Sequence, residues 1–328
     1  MTCPDRKDEA AVLPPGFLAA VLKLPVDDVS YERIGVGRGF ASTVLRLTIQ
    51  ADGRPPLTAV AKVGPDKALE REAAFYRELA DRLAGPAPQC WFAGPAPDGT
   101  PVVLLEDLNP ARFGDALAGG SVEDVAAVLA SMVPVWRHQA AGPVLGALPM
   151  WGSDPAVRQE RFRVAWSDLR EQLAGELPRE IWLIGERLRD SLATVAAELR
   201  RRPGVVVHGD LHLDNVLFQP KGASRRPVVL DWGSVCAGPA AIDVFPFLAM
   251  SLSPEDHACH AADLLADLFL GSSPLDDGRR RLLCYFAGVI GWRNRPPGTH
   301  PREAALRTAA LGDGRLVGAL LQWDAATV

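Results

Sequence analysis

Along the chain the spacing of apolar positions changes near residue 106. Before it, apolar residues alternate with polar ones or run together for a few positions, the signature of strands; after it, the three-to-four spacing of helices takes over. "ERIGVGRGFASTVLRLTIQ", Glu32 to Gln50, alternates about a glycine-rich turn, and "PLTAVAKVG" is a short apolar strand ending at Gly64. "DKALEREAAFYRELADRLAG" switches to helical period and stops at Gly85 before a proline, as a helix end should. "TPVVLLEDLN", Thr100 to Asn109, predicts a buried strand that turns acidic and polar. Helices are then expected over Val122–Gln139, Pro155–Leu173, Arg179–Arg201, Pro254–Leu268, Arg279–Gly291 and Arg302–Gln322. Two short apolar runs interrupt them, "GVVVHGDLHLDNVLF" and "RPVVLDWG", and together they predict a small paired sheet. The expected organisation is α+β: a strand-rich lobe with one helix over residues 1–105 and a mostly helical lobe over residues 106–328.

Composition narrows the class. A chain of 328 residues exceeds the roughly 250–300 at which a single core stops growing, which agrees with two lobes. No run approaches the ~18 uninterrupted apolar residues of a membrane span, so no membrane partner is expected. The opening "MTCPDRKDEA" is charged where a secretory leader would be apolar, which points to the cytoplasm. The five cysteines are scattered and contain no CxxC pair, so they read as reduced thiols. With a net charge of −5 and no basic block beyond "GRRR" at Gly278 to Arg281, nucleic acid is not an expected partner.

The chemistry concentrates in "VVVHGDLHLDNVLF", Val205 to Phe218. His208, Asp210, His212 and Asp214 occupy alternate positions, and in a strand all four would project from one face. A metal-dependent hydrolase could be built that way, although such sites generally recruit further histidines. Phosphoryl transfer accounts for more of the pattern. Asp210 and Asn215 stand five apart, and Asp231 ends a second apolar run at "VVLDWG", sixteen residues later. In protein kinases the catalytic-loop Asp and Asn share this five-residue separation, and a strand-ending Asp-x-Gly supplies the main magnesium ligand. Carboxylate and amide oxygens suit hard Mg²⁺, while Asp210 stays free to orient an attacking hydroxyl and accept its proton.

"HGDLHLDNVLF" followed by "VVLDWGSVCAGPAAIDV" resembles the aminoglycoside phosphotransferase and choline kinase superfamily of small-molecule kinases. The first-lobe pattern "IGVGRGFAS…LRLTI…AVAKVG…EREAAFYREL…VVLLEDL" is similar to its ecdysteroid-kinase-like branch, so the resemblance spans about Ile34 to Val244. It implies a bilobal protein-kinase-like fold, ATP or GTP as co-substrate, Mg²⁺, and a small-molecule hydroxyl as acceptor, in antibiotic resistance or biosynthesis. It further implies that Lys62 holds nucleotide phosphates and that a helix glutamate braces it. On the periodicity of the helix, Glu72 lies at the edge of the apolar stripe, whereas Glu70 and Glu78 point away. Gly35, Gly37 and Gly39 offer backbone N–H groups to phosphates, or make a tight hairpin turn. Leu105 and Asp107 fall at the adenine-binding hinge. His208 orients the catalytic loop, Asn215 and Asp231 bind metal, and Asp243 braces the loop. His212 and Asp214 face substrate or cap the turn; Trp292, Arg293 and Asn294 line an acceptor pocket or end a core helix. No Ala-Pro-Glu anchor follows Asp231, so protein substrates are disfavoured. A nucleotide-binding pseudokinase is the remaining alternative.

Overall fold

The structure is a computed structural model; it describes residues 13–35, 42–137, 148–202, 204–221, 224–268, 274–295 and 301–323. It divides into two compact units, the first comprising Met1–Arg112 with Val228–Ser234 and the second comprising Phe113–Pro227 with Val235–Val328. The strand-rich unit therefore runs past the expected limit at residue 105 and also takes back a seven-residue segment from far along the chain. The reason is packing. Trp232 is fully buried and stacks on Phe75 with ring centroids 4.1 Å apart, and Arg71 donates to the Gly233 carbonyl at 2.8 Å.

In the first unit, α1 (Pro15–Leu22) precedes β1 (Asp28–Ile34), β2 (Thr43–Gln50) and β3 (Leu57–Val63). Then come α2 (Lys67–Glu78), the single turn α3 (Ala80–Leu83), β4 (Cys90–Pro95) and β5 (Pro101–Glu106). The five strands form one antiparallel sheet in the order β1-β2-β3-β5-β4. Alternation sorts β3: Ala59, Ala61 and Val63 are buried in the core with Leu45, Leu47, Ile49 and Leu104, and Lys62 leaves from the opposite face. Helix α1 closes the core side through Leu18, with Phe17 edge-on to Phe92 at 5.1 Å and the Tyr31 hydroxyl donating to the Leu13 carbonyl at 2.7 Å. The sequence reading allowed one helix in this lobe and missed α1, whose eight residues are too few to display a period.

The second unit opens with β6 (Arg112–Phe113, shared at the boundary), α4 (Val122–Arg137), α5 (Pro155–Leu173) and α6 (Arg179–Arg200). β7 (Val205–Val207), β8 (Val216–Lys221), β9 (Ser224–Val229) and β10 (Cys236–Gly238) follow. The remaining helices are α7 (Ala241–Ser251), α8 (Pro254–Leu268), α9 (Pro274–Arg293), α10 (Pro301–Gly312) and α11 (Arg315–Gln322). The two apolar runs do pair, through β8 at the end of the first and β9 at the start of the second, with β6 on the other edge of β8. The beginning of the first run, β7, pairs separately with β10, Val207 opposite Cys236. The single helix expected over Arg302–Gln322 is broken at Asp313 and Gly314, the latter at φ 76°. No described helix is long and apolar enough to cross a membrane.

Helices α5, α6 and α9 pack around Trp166, which is fully buried, lies 6.2 Å from the Phe286 ring and hydrogen-bonds Glu186 at 2.8 Å. Gly185 is where α6 accepts that indole: a Cβ there would stand 2.1 Å from Trp166 Cη2. Gly185→Ala is therefore expected to overpack the interface by about 1–3 kcal/mol. A urea titration followed by circular dichroism should show a lower midpoint with an unchanged slope.

Candidate active site

Each unit carries a separate set of the residues singled out from the sequence. In the first, the Lys62 ammonium contacts both Glu72 oxygens at 2.8 and 2.9 Å and Asp231 Oδ1 at 3.1 Å. Asp66 caps α2 by accepting from the Ala68 amide, which starts the helix so that Glu72, five residues into it, turns inward and is 1 % exposed. Burial pulls the Lys62 ammonium down, but the carboxylates of Glu72 and Asp231 more than offset it, and its pKa ends above the ordinary lysine value. Lys62 is a fixed cation.

Asp231 has φ 63°, a left-handed conformation that an aspartate adopts at some cost. Its side chain is half exposed, whereas the next residue, Trp232, is pinned by the stack on Phe75 and by its indole N–H donating to the Val229 carbonyl at 3.0 Å. The buried tryptophan and the outward carboxylate are adjacent, and the strained residue is the hinge between them. Trp232 is thus a packing residue.

In the second unit the loop after β7 is tied down from below. Asp243, 1 % exposed on α7, accepts the His208 amide on Oδ2 and the Gly209 amide on Oδ1, each at 2.8 Å, and the Trp136 indole at 3.0 Å. Gly209 at φ 84° is what lets two successive amides aim at one carboxylate. His208 is fully buried, and its Nδ1 accepts the Asp210 amide at 3.3 Å. With the backbone committed, the Asp210 side chain stands 59 % exposed, 3.7 Å from His212 Nε2. Crowding by surrounding protein works to raise the Asp210 carboxyl, but His212, His208 and the buried Arg281 outweigh it and hold the group below the usual carboxylate range.

Asn215 closes a 3₁₀ turn, Leu213–Asn215, and its amide nitrogen donates to the Asp210 carbonyl at 3.0 Å and lies 3.1 Å from His212 Nε2. That leaves the carboxamide oxygen as the atom of Asn215 suited to a hard cation. The turn also ends the one-face expectation: β7 stops at Val207, so period two does not extend through His208, Asp210, His212 and Asp214. Among the described residues no three His, Cys, Asp or Glu side chains gather as a metal site.

Asp214 is engaged elsewhere. It accepts Nε of Arg302 at 2.9 Å, Nη2 of the same side chain, and the Ala116 amide at 2.8 Å. Arg302 also bonds Asp115 at 2.9 Å, and Arg315 holds the carbonyls of Ala116, Leu117 and Met250 at 2.8–3.0 Å. Gly114 allows this segment to approach, since a Cβ there would be 2.4 Å from the Leu213 carbonyl oxygen. Arg302 on α10 grips the turn that carries Asp214, and Arg315 on α11 holds the Ala116–Leu117 segment; neither stands out in the sequence, because a long-range guanidinium leaves no local period or motif.

The other expectations are placed as follows. Gly35 has φ 68°, and Gly37 and Gly39 lie outside the described residues. Leu105 is buried in β5 opposite Val60, and Asp107 pairs with Arg46 at 2.9 Å while capping the Asn109 amide. At the end of α9, Arg293 pairs with Glu176 at 3.2 Å, Asn294 donates to Asp168 at 2.9 Å, and Trp292 lies 6.0 Å from the Arg307 guanidinium.

The family model described as "Phosphotransferase enzyme family" matches residues 32–283. Solved structures with the same fold include a candidate aminoglycoside phosphotransferase from Ralstonia eutropha JMP134, at 20 % identity and TM-score 0.58, covering 94 % of this chain and 97 % of the other. A choline/ethanolamine kinase family protein from Mesorhizobium loti matches at 13 % identity and TM-score 0.55, covering 96 % and 98 %. Spectinomycin phosphotransferase, solved with ADP and spectinomycin, matches at 10 % identity and TM-score 0.57, covering 94 % and 98 %. No curated protein matches the sequence. None of these matches singles out the ecdysteroid-kinase-like branch.

The Arg302–Asp214 pair has a pH signature. Burial works to raise the Asp214 carboxyl, but Arg302 and the Ala116 amide prevail, so its folded pKa lies below the ordinary value. Its stabilising contribution is then complete above an unfolded value of about 3.9 and is lost as pH falls through the folded value. Arg302→Gln should lower stability at pH 7 by about 3 kcal/mol and flatten the acid limb of a stability–pH curve measured by chemical denaturation.

Proposed function

Because the chain belongs to the phosphotransferase enzyme family, we propose that it is a small-molecule kinase, transferring the γ-phosphoryl group of ATP or GTP to a hydroxyl of an antibiotic, sugar or natural-product alcohol. The observation that carries this reading is the loop after β7: its backbone is fully committed to Asp243 and His208, and it presents one accessible, ionised carboxylate. Such a transition state is loose and needs little covalent chemistry from the protein, so holding groups in place is most of the catalysis.

In this reading Asp210 orients the acceptor hydroxyl and takes its proton as the oxygen bonds to phosphorus. A carboxyl held below the ordinary range is a weak base, which suits positioning and late proton acceptance better than full deprotonation beforehand. Lys62, kept charged and fixed by Glu72, neutralises nucleotide phosphates. Mg²⁺, when bound, would offset the charge that develops on the phosphates. Asn215, through its carboxamide oxygen, and Asp231 would hold it, and both are the hard oxygen donors that ion prefers. Gly35 and its glycine neighbours would meet the phosphates, and Leu105 and Asp107 the adenine or guanine base. Asp243 comes only twelve positions after Asp231, too close for a peptide-positioning segment, which favours a small acceptor. The hydrolase reading lacks a gathered ligand set among the described residues. Retention of Lys62, Glu72, Asp210, Asn215 and Asp231 favours a working enzyme over a pseudokinase.

Mass spectrometry of a library of small alcohols incubated with the protein, Mg²⁺ and ATP or GTP should show one phosphoryl group gained on a single acceptor class. Asp231→Ala should abolish transfer, and Asp210→Asn should reduce it by about 10²–10⁴-fold; wild-type rates in Asp231→Ala would end the assignment. With the identified acceptor, kcat/KM should show no acidic limb between pH 5 and about 7 from Asp210, which stays ionised throughout that range.

A further inference from the structure

Below the catalytic loop, on the second unit, two guanidinium groups share one aromatic ring. Arg158 of α5 lies 4.7 Å from the centroid of Trp151, and Arg281 of α9 lies 5.0 Å from it and 5.3 Å from the Tyr285 ring. Several arginines elsewhere in this unit are paired with carboxylates: Arg163 with Asp190, Arg202 with Asp277, Arg293 with Glu176, Arg302 with Asp214. Among the described residues neither Arg158 nor Arg281 has such a pair. Arg281 is only 7 % exposed, and among the described residues its hydrogen bond is from Nε to the Ile242 carbonyl at 2.9 Å, which leaves both Nη groups unspent there. The Nε of Arg158 is buried with no partner.

An unpaired buried cation is costly, and a second beside it is more so, since their charges repel. Burial has already pulled the Arg281 guanidinium down to about 10, with Arg158 adding to the effect and the buried Asp243 carboxylate offsetting only part of it. Stacking on Trp151 and Tyr285 offsets part of this cost but satisfies no N–H donor. Both guanidiniums also act on the buried Cys284 thiol, so they converge on one region, and Arg281 is near enough to Asp210 for its charge to bear on that carboxylate.

We propose that Arg158 and Arg281, seated on Trp151, form an anion-binding subsite that takes a carboxylate or phosphate group of the acceptor. This deepens the kinase reading and rests on it for the identity of the ligand. The fork of unspent Nη donors suits a planar carboxylate or a phosphate, and the flanking rings exclude water from the contact. The acceptor is then an alcohol that already carries an acidic group. A polycationic aminoglycoside would meet two guanidinium charges here and is disfavoured.

The test is the fluorine NMR spectrum of the full chain labelled with 5-fluorotryptophan, with the Trp151 resonance assigned by Trp151→Phe. Inorganic phosphate and, separately, succinate are titrated at constant ionic strength. A saturable shift of the Trp151 resonance by either anion is expected, with affinity reduced by about tenfold or more in Arg158→Gln and in Arg281→Gln and retained in Lys62→Ala. Phosphate alone, succinate alone, or both would name the preferred group. Arg158 is only partly buried, so Arg158→Gln carries the test if Arg281→Gln does not fold. No shift with either anion, or equal shifts in the arginine variants and wild type, overturns the subsite. Calorimetric titration with Mg·ADP on the same samples reads the kinase assignment separately: nucleotide binding without an anion response sinks only the subsite, and an anion response without nucleotide binding sinks only the kinase.

Discussion

A single buried carboxylate organises the chemistry of the second unit. Asp243 is almost wholly removed from water, and both its oxygens are used: two successive backbone amides and an indole N–H share them. A charge so placed is stable only while those donors stay aimed at it. That requirement runs in both directions. The carboxylate fixes the turn at His208 and Gly209, and the turn in turn makes the carboxylate tolerable. Everything further along the loop, from the exposed Asp210 to the hydrogen-bonded Asn215, inherits its direction from this knot.

The first unit solves a parallel problem with different means. Lys62 leaves the sheet on the face opposite the Leu45 and Leu47 core and meets a buried glutamate that only the inward side of α2 could supply. Asp231 reaches the same ammonium because Trp232 is locked onto Phe75. A hydrophobic stack thereby sets the position of a polar group two atoms of backbone away, and the left-handed conformation of Asp231 is where the two demands are reconciled.

Much of this was legible beforehand because it is local. The strands around Lys62, the helix carrying Glu72, and the spacing of Asp210, Asn215 and Asp231 all leave marks within a short window of sequence. Period two misled over His208 to Asp214, since Gly209 and a 3₁₀ turn interrupt the extended chain there. The small sheet was foreseen in its β8–β9 pair, but β7 was not given its own partner: it pairs with β10, a segment whose three residues carry no pattern of their own. Arg302, Arg315 and the unpaired Arg158 were invisible. Their meaning depends on what lies opposite them in space, and a surface arginine reads the same in sequence as one that grips a carbonyl.

Arg302 and Arg315 lie beyond residue 283, where the match to the family ends, yet their partners lie inside it. The C-terminal helices are therefore not an interchangeable module. A lineage that gained a new acceptor by replacing them would also have to supply fresh cations for Asp214 and for the carbonyls of Ala116 and Leu117. Divergence at this end of the chain is coupled to the turn that carries Asn215, so substitutions that leave Arg302 and Arg315 in place are more easily accommodated than the exchange of whole helices.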